Sequence, residues 1–244
     1  MAVAYIPAKW QKPGRSKKIR LVVIHCTVSP EMGDGAEAVA NWFANPTRAG
    51  STHLVSDNNS TVRCVLDENT AAGAVGANND GLHLELVGMP DQTAEEWTDA
   101  YSLAELAEAG PHLREWSQKW GVPPRWLSVA EILAGDSGFC THADIEAAYP
   151  STGHWDPGPN FPKQLAMDIW FPSPVLPSEE TEMVIIEATS TPTKNRGPRL
   201  LAPPAFSRVT AEDLLAYASV GVKAIRVSDD HYDATLSQIV KALD

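Results

Sequence analysis

The run Leu21-Val22-Val23-Ile24-His25-Cys26-Thr27 constrains the fold of this chain more than any other segment. Its aliphatic, mostly β-branched residues read as a buried strand. The strand ends on a histidine, and a strand end is rigid enough to hold a metal ligand. A second histidine, in Thr141-His142-Ala143-Asp144, follows the Gly- and Ser-containing stretch Gly135-Asp136-Ser137-Gly138, so His142 is expected on a loop or at a helix start. A carboxylate, Asp156, precedes Pro157-Gly158, a pair that fixes a turn and limits where the acid can point. Two imidazoles and one carboxylate would leave a tetrahedral zinc with one open position, the arrangement of catalytic rather than structural sites. Taken singly, each residue has a plainer reading, as a hydrogen-bonded core histidine or a turn aspartate.

A fourth element strengthens the set. In Leu82-His83-Leu84-Glu85-Leu86-Val87-Gly88, alternation puts His83 and Glu85 on one side of a strand and Leu84 and Leu86 on the other. An acid in so apolar a strand is costly to bury without a partner or a task. Adjacent strand residues point to opposite faces, so Cys26 is expected to pack in the core although it follows His25. A cysteine hydrolase is the chemical alternative to a metal one. Cys26, Cys64 and Cys140 form no C-x-x-C pair and no even framework, which fits free thiols in a reducing compartment.

The expected fold class is α/β, with a mixed central sheet covered by helices. Strands are predicted over residues 20–26, 52–57, 61–66 and 81–87, with a hairpin turn at Ser56-Asp57-Asn58-Asn59-Ser60. Helices are predicted over 35–44, 93–120 and 160–170, the second opening with the capping-box pattern Thr93-Ala94-Glu95-Glu96. The boundaries are then a catalytic domain over 1–171, a Pro- and Glu-rich linker over 172–181, and a small α/β domain over 182–244. In that last part 183–187 and 222–227 read as strands and 210–219 and 233–243 as helices.

The ordered set Val23-Ile24-His25-Cys26-Thr27, Ser51-Thr52-His53-Leu54-Val55-Ser56-Asp57, Ala72-Gly73, Leu84-Glu85-Leu86-Val87-Gly88, His142-Ala143-Asp144-Ile145 and His154-Trp155-Asp156-Pro157-Gly158 resembles the type-2 zinc N-acetylmuramoyl-L-alanine amidases. These share a fold with peptidoglycan recognition proteins and include many phage lysins. The resemblance implies that one zinc ion is held by His25, His142 and Asp156, that Glu85 is the general base, and that His154 stabilises the developing oxyanion. It implies hydrolysis of the bond between N-acetylmuramic acid and L-alanine in bacterial peptidoglycan. It departs at Thr52, where several relatives carry tyrosine, so Glu85 would carry more of the proton transfer. Thr52, His53 and Trp155 are the expected substrate-binding residues. His53 and His83 could also replace a metal ligand, or support one from behind.

A net charge of −12 argues against nonspecific nucleic-acid binding and against attraction to anionic membranes. Binding to a cell wall must then rest on a shaped groove, or on a second module. Of Trp42, Trp97, Trp116, Trp120, Trp126, Trp155 and Trp170, the pair Trp116 and Trp120 is four apart in a helical stretch and reads as core, whereas Trp155 is placed at the groove. No apolar run approaches the ~20 residues of a membrane span. Met1 to Pro7 lacks the charged start and apolar block of a signal peptide. For a phage lysin, which the resemblance includes, synthesis in the host cytoplasm and later release to the wall would follow. The C-terminal domain reads equally as a wall-binding module or as a packing appendage. A noncatalytic peptidoglycan-binding module is the competing function, and the oligomeric state is left open.

Overall fold

The computed structural model describes residues 3–172 and four strands between residues 184 and 227. The chain divides into two compact units, Met1–Ser173 and Pro174–Asp244. The first contains, in chain order, β1 (Ala4–Tyr5), β2 (Gln11–Lys12), β3 (Leu21–Cys26), α1 (Gly35–Ala44), β4 (Leu54–Ser56), β5 (Thr61–Arg63), β6 (Thr70–Ala71) and β7 (Gly81–Leu86). It continues with α2 (Ala100–Trp120), α3 (Val129–Ala134), β8 (Gly138–Thr141), α4 (His142–Ala148) and α5 (Lys163–Trp170). Six strands form one sheet in the order β1-β5-β4-β7-β3-β8, while β2 and β6 pair separately. The β4–β5 hairpin is antiparallel and the other pairings of the large sheet are parallel, so the sheet is mixed.

The interior strand β3 is buried along its whole length. Val22, Ile24 and Cys26 enter a core with Leu106, Leu113 and Trp116 of α2 and with Met167 and Trp170 of α5. Leu21 and Val23 face the other way, into a core with Ile132 of α3, Cys140 of β8 and Ile145 of α4. A strand covered on both faces has no polar side, which is why the run reads as continuous aliphatics. Parity puts His25 on the α4 side. The in-register pairs Val23↔His83 and His25↔Glu85 put all three polar residues of β3 and β7 on that same side.

Some predicted boundaries move for local reasons. The predicted helix 93–120 is two elements: Thr93 and Glu96 exchange hydrogen bonds around a single 3-10 turn, Glu96–Thr98. Asp99 then takes an extended conformation and accepts the Ser102 N–H to start α2 afresh. Gly121, at φ 66°, closes α2 in the left-handed conformation that glycine adopts without strain. The predicted helix 160–170 begins only at Lys163. The strands β1, β2, β6 and β8 and helix α3 were not foreseen, being too short to show periodicity. At the β4–β5 turn, buried Asp57 accepts the N–H groups of Asn59 and Ser60 with one oxygen and that of Ala36 with the other. One carboxylate thus shapes the hairpin and caps α1, whose own Asp34 makes no side-chain cap.

In the second unit, strands β9 (Val184–Ala188), β10 (Arg199–Ala202), β11 (Ala205–Arg208) and β12 (Lys223–Val227) form a sheet in the order β11-β10-β9-β12. The two predicted strands appear as β9 and β12, paired in parallel. The predicted linker and the predicted helices 210–219 and 233–243 lie outside the described residues, apart from Pro172. Among the described residues, no helix is long and apolar enough to cross a membrane.

Candidate metal centre

Three elements bring the site together. β3 delivers His25 at the C-terminal end of the parallel strands, and β8 runs directly into α4, whose first residue is His142. Thr141 and Asp144 form a reciprocal capping box there, fixing the helix start and with it the His142 ring. The backbone oxygen of Asp156 accepts the Ala143 N–H at 3.0 Å, pinning the late loop to the same helix turn. Across the next turn, a Cβ on Gly158 would stand 1.8 Å from the Pro90 oxygen, so only glycine lets these two loops touch.

His25 Nδ1 then lies 3.0 Å from His142 Nδ1 and 3.2 Å from Asp156 Oδ2, and His142 Nδ1 lies 3.1 Å from Asp156 Oδ1. All three residues are buried and close enough together to bind one metal ion. Burial holds the His25 pKa below its ordinary value, so the ring is neutral and has a lone pair to give. Burial pushes the Asp156 carboxyl upward, but the hydrogen bonds from His142 and His25 outweigh it and hold the acid well below the usual carboxylate range. Two nitrogen donors and an ionised carboxylate fit a divalent ion of the zinc type.

The other ring nitrogen of His25 also has a partner. His25 Nε2 lies 3.0 Å from Nδ1 of His83, which is fully buried and kept neutral by burial. With His25 Nδ1 turned to the metal position, its Nε2–H donates to His83. His83 is held in turn by Thr52, whose hydroxyl donates to the His83 carbonyl at 2.8 Å, and by His53, whose Nδ1 accepts the His83 backbone N–H at 3.0 Å. The His53 and His83 rings stack, with planes 9° apart. Gly73 leaves room for this arrangement, since a Cβ there would come within 2.7 Å of His83 Nδ1.

Thr52 and His53, expected at the substrate, are placed behind His83. Both are fully buried, and neither lines the cleft above the three residues or the cavity beside Trp155. Their burial also lowers the His53 pKa to about 3. His83 is the supporting residue that alternation alone placed on the right face without showing what it touches.

A cleft of about 710 Å³ opens above the three residues. Glu85 forms part of its lining, one of its oxygens has no hydrogen-bond partner among the described residues, and desolvation together with the charge of Asp156 raises its pKa well above the ordinary value. In its ionised form, a carboxylate beside an open cavity is placed to take a proton from an attacking water. His154 is exposed, stacks on His142 with ring centroids 4.4 Å apart, and lines the cleft. Its turn is organised by Glu146, which accepts hydrogen bonds from the backbone of Ser151, Thr152 and Gly153 and from the Ser151 hydroxyl. No sequence signal marked Glu146, because the acid acts through backbone groups. Away from the metal position the cleft wall is apolar, with Met32, Val39, Trp42 and Phe43.

Cys26 is buried, and burial with the nearby Glu85 raises its thiol pKa, so a reactive thiolate is disfavoured. Of the tryptophans weighed from the sequence, Trp97, Trp116 and Trp170 are in the core, while Trp42 and Trp155 remain about half exposed and line cavities. Trp155 faces a second cavity rather than the main cleft.

Fold and site together define a mixed α/β protein with a buried His-His-Asp cluster, able to hold a metal ion, at strand and helix ends. The N-acetylmuramoyl-L-alanine amidase family matches residues 15–159, more than half of the chain, and the protein belongs to that family. It is accordingly a hydrolase of the muramoyl–alanine amide in peptidoglycan. The fold is similar to that of the Staphylococcus aureus hydrolase AmiA in complex with its ligand, at 13% identity and a TM-score of 0.51 over 70% of this chain and 83% of that one. The N-acetylmuramoyl-L-alanine amidase LysC from Clostridium intestinale matches at 15% identity and a TM-score of 0.43, over 68% of this chain and 95% of that one. A mutant endolysin from Bacillus subtilis matches at 14% and 0.43, over 61% and 88%. No curated protein matches the sequence.

Proposed function

We propose that the protein is a zinc amidase in which His25, His142 and Asp156 hold the ion, Glu85 is the general base and His154 the oxyanion donor. The observation that carries this reading is the convergence of those three side chains beneath a cleft also lined by Glu85 and His154. When bound there, zinc supplies a Lewis acid and lowers the pKa of a coordinated water toward ~7. Glu85 takes a proton from the attacking water and returns it to the leaving alanine nitrogen. His154 donates to the carbonyl oxygen as negative charge grows on it, a contact stronger in the transition state than in the ground state. His83, through His25 Nε2, keeps the first ligand in the tautomer the metal requires.

The biological setting we propose is lysin-like, with action on the bacterial wall after synthesis inside the host cell, and the Pro174–Asp244 unit as a wall-binding module. Removing residues 178–244 should then weaken co-sedimentation with walls more than cleavage of soluble muramoyl-peptides. The central test combines metal content with product identity. Purified protein should contain about one zinc per chain, and digested wall should show new L-alanine amino termini by mass spectrometry. Undiminished digestion in strong chelator by metal-free protein would refute the zinc assignment.

A further inference from the structure

The chain leaving β3 adopts a backbone conformation that its sequence disfavours. Val28 has φ 55°, and among the described residues it alone combines a side chain with a positive φ. A β-branched residue in the left-handed region crowds its own backbone, a cost that asparagine bears more easily and glycine does not bear at all. The neighbours of Val28 hold it there. Thr27 N–H donates to the Leu86 carbonyl at 2.9 Å and Ser29 N–H to the Gly88 carbonyl at 3.3 Å, so the residues on both sides of Val28 are bonded to the chain that ends and follows β7. The Thr27 hydroxyl lies 2.6 Å from that of Ser29 and accepts the Gly88 N–H at 3.3 Å. Turning Val28 to an ordinary conformation would break this set.

Packing does not account for the valine either. Val28 is 58% exposed, so its isopropyl group gains little from burial in the free protein. A residue that the backbone disfavours and the fold leaves uncovered has its use where something else covers it, and strained residues of this kind gather at ligand sites. Its position agrees. The main cleft adjoins a second cavity of about 340 Å³, and Val28 lines both of them together with His154 and Asp156. The isopropyl group therefore stands where the two spaces meet, beside the candidate metal ligands.

We infer that Val28 is a specificity-determining residue, whose isopropyl group packs on the methyl side chain of the alanine whose amide is cut, and that the left-handed backbone is the conformational cost of aiming it there. The inference rests on the amidase reading. An amide held over His25, His142 and Asp156 has that methyl group next to its nitrogen, within the part of the substrate that lies against the junction of the two cavities. Val28 then distinguishes alanine from glycine by one methyl group taken out of water.

The test uses zinc-loaded full-length enzyme and two soluble muramoyl-peptides that differ only in the first amino acid, L-alanine or glycine. The wild type should prefer the alanine substrate in kcat/KM about fourfold, the worth of one buried methyl group. Val28→Asn and Val28→Gly should bring that ratio close to unity, while Val28→Ile, which keeps a β-branched apolar group, should preserve it. The zinc content of all three variants should match that of the wild type. Thermal melting gives a second readout, which a residue kept for packing would move the other way. Val28→Asn should melt about 2–4 °C above the wild type, the shift expected for relief of one left-handed residue in a domain of this size. A Val28→Asn protein that melts below the wild type would overturn the strain argument. An alanine preference that survives in both Val28→Asn and Val28→Gly, or that the wild type lacks, would overturn the contact while cleavage itself still stood. Failure of the wild type to release a new amino terminus from either substrate would overturn the amidase reading underneath.

Discussion

Replacing His83 by alanine tests how far the metal site depends on a residue that never meets the ion. The ring is fully buried and its Nδ1 lies 3.0 Å from His25 Nε2, placed to accept the N–H there once His25 Nδ1 is given to the metal. Without it, His25 loses the contact that fixes its tautomer and ring angle, a loss that typically costs 10–100-fold in metal affinity, about 1.4–2.7 kcal/mol. The metal-free protein suffers as well, because a buried N–H without a partner costs about 1–3 kcal/mol, or roughly 2–12 °C in melting temperature for a domain of this size. A second perturbation reaches the same contact from the other side. Gly73→Ala would place a methyl group 2.7 Å from His83 Nδ1 and force the ring aside while leaving its chemistry intact. Zinc affinity, measured by competition with a chromophoric chelator, should fall by at least tenfold in both variants. Zinc affinities within twofold of wild type, in variants whose circular dichroism is native, would refute the supporting role of His83.

Glu85→Gln should retain about one zinc per chain and lose at least ~100-fold in kcat, whereas His142→Ala should lose the metal itself; elemental analysis beside turnover separates the two. Glu146, partly exposed, is held at a pKa of about 2, first by the backbone N–H groups of Ser151 and Gly153. A depressed carboxylate contributes stability above its ordinary value near 4.5 that is lost as pH falls through about 2. Amide exchange at Ser151–Gly153 should therefore be slow at pH 6 in the wild type and fast in Glu146→Ala, and equal rates would show that the clamp does nothing. Glu105 is buried in α2 with one oxygen accepting the Val87 N–H and the other without a partner among the described residues, and burial raises its pKa well above 4.5. Its folded form keeps a proton that the unfolded chain releases, so stability is intact below pH 4.5 and declines as pH rises toward the folded pKa. Glu105→Gln should raise the melting temperature at pH 8 more than at pH 4, and the reverse order would contradict the assignment.

Much of the proposed site was legible because its candidate ligands occupy places where local rules are strong. His25 ends a strand so apolar that only a doubly covered position suits it, and Thr141-His142-Ala143-Asp144 carries its own helix-start signature. The positions of Thr52 and His53 were less legible for the opposite reason. Both lie among short polar residues whose pattern fits a loop facing substrate as well as a segment buried behind a ligand, and only the covering residues distinguish the two. The helix predicted from residue 93 failed at Asp99, where a side-chain cap begins a new helix that periodicity alone does not separate from the turn before it.

Taken alone, the chain's residue order determined which faces its strands present, because a period of two leaves no choice: His83 and Glu85 share a side, and Cys26 opposes His25. Tertiary structure alone decided that His25 meets His142 across 117 positions and Asp156 across 131, and that β3 and β7 pair so that His25 stands beside Glu85. Those contacts depend on strand register and on how loops pack against one another, as Gly158 does on Pro90. Such fits are set by the whole fold, and no local stretch of sequence encodes them.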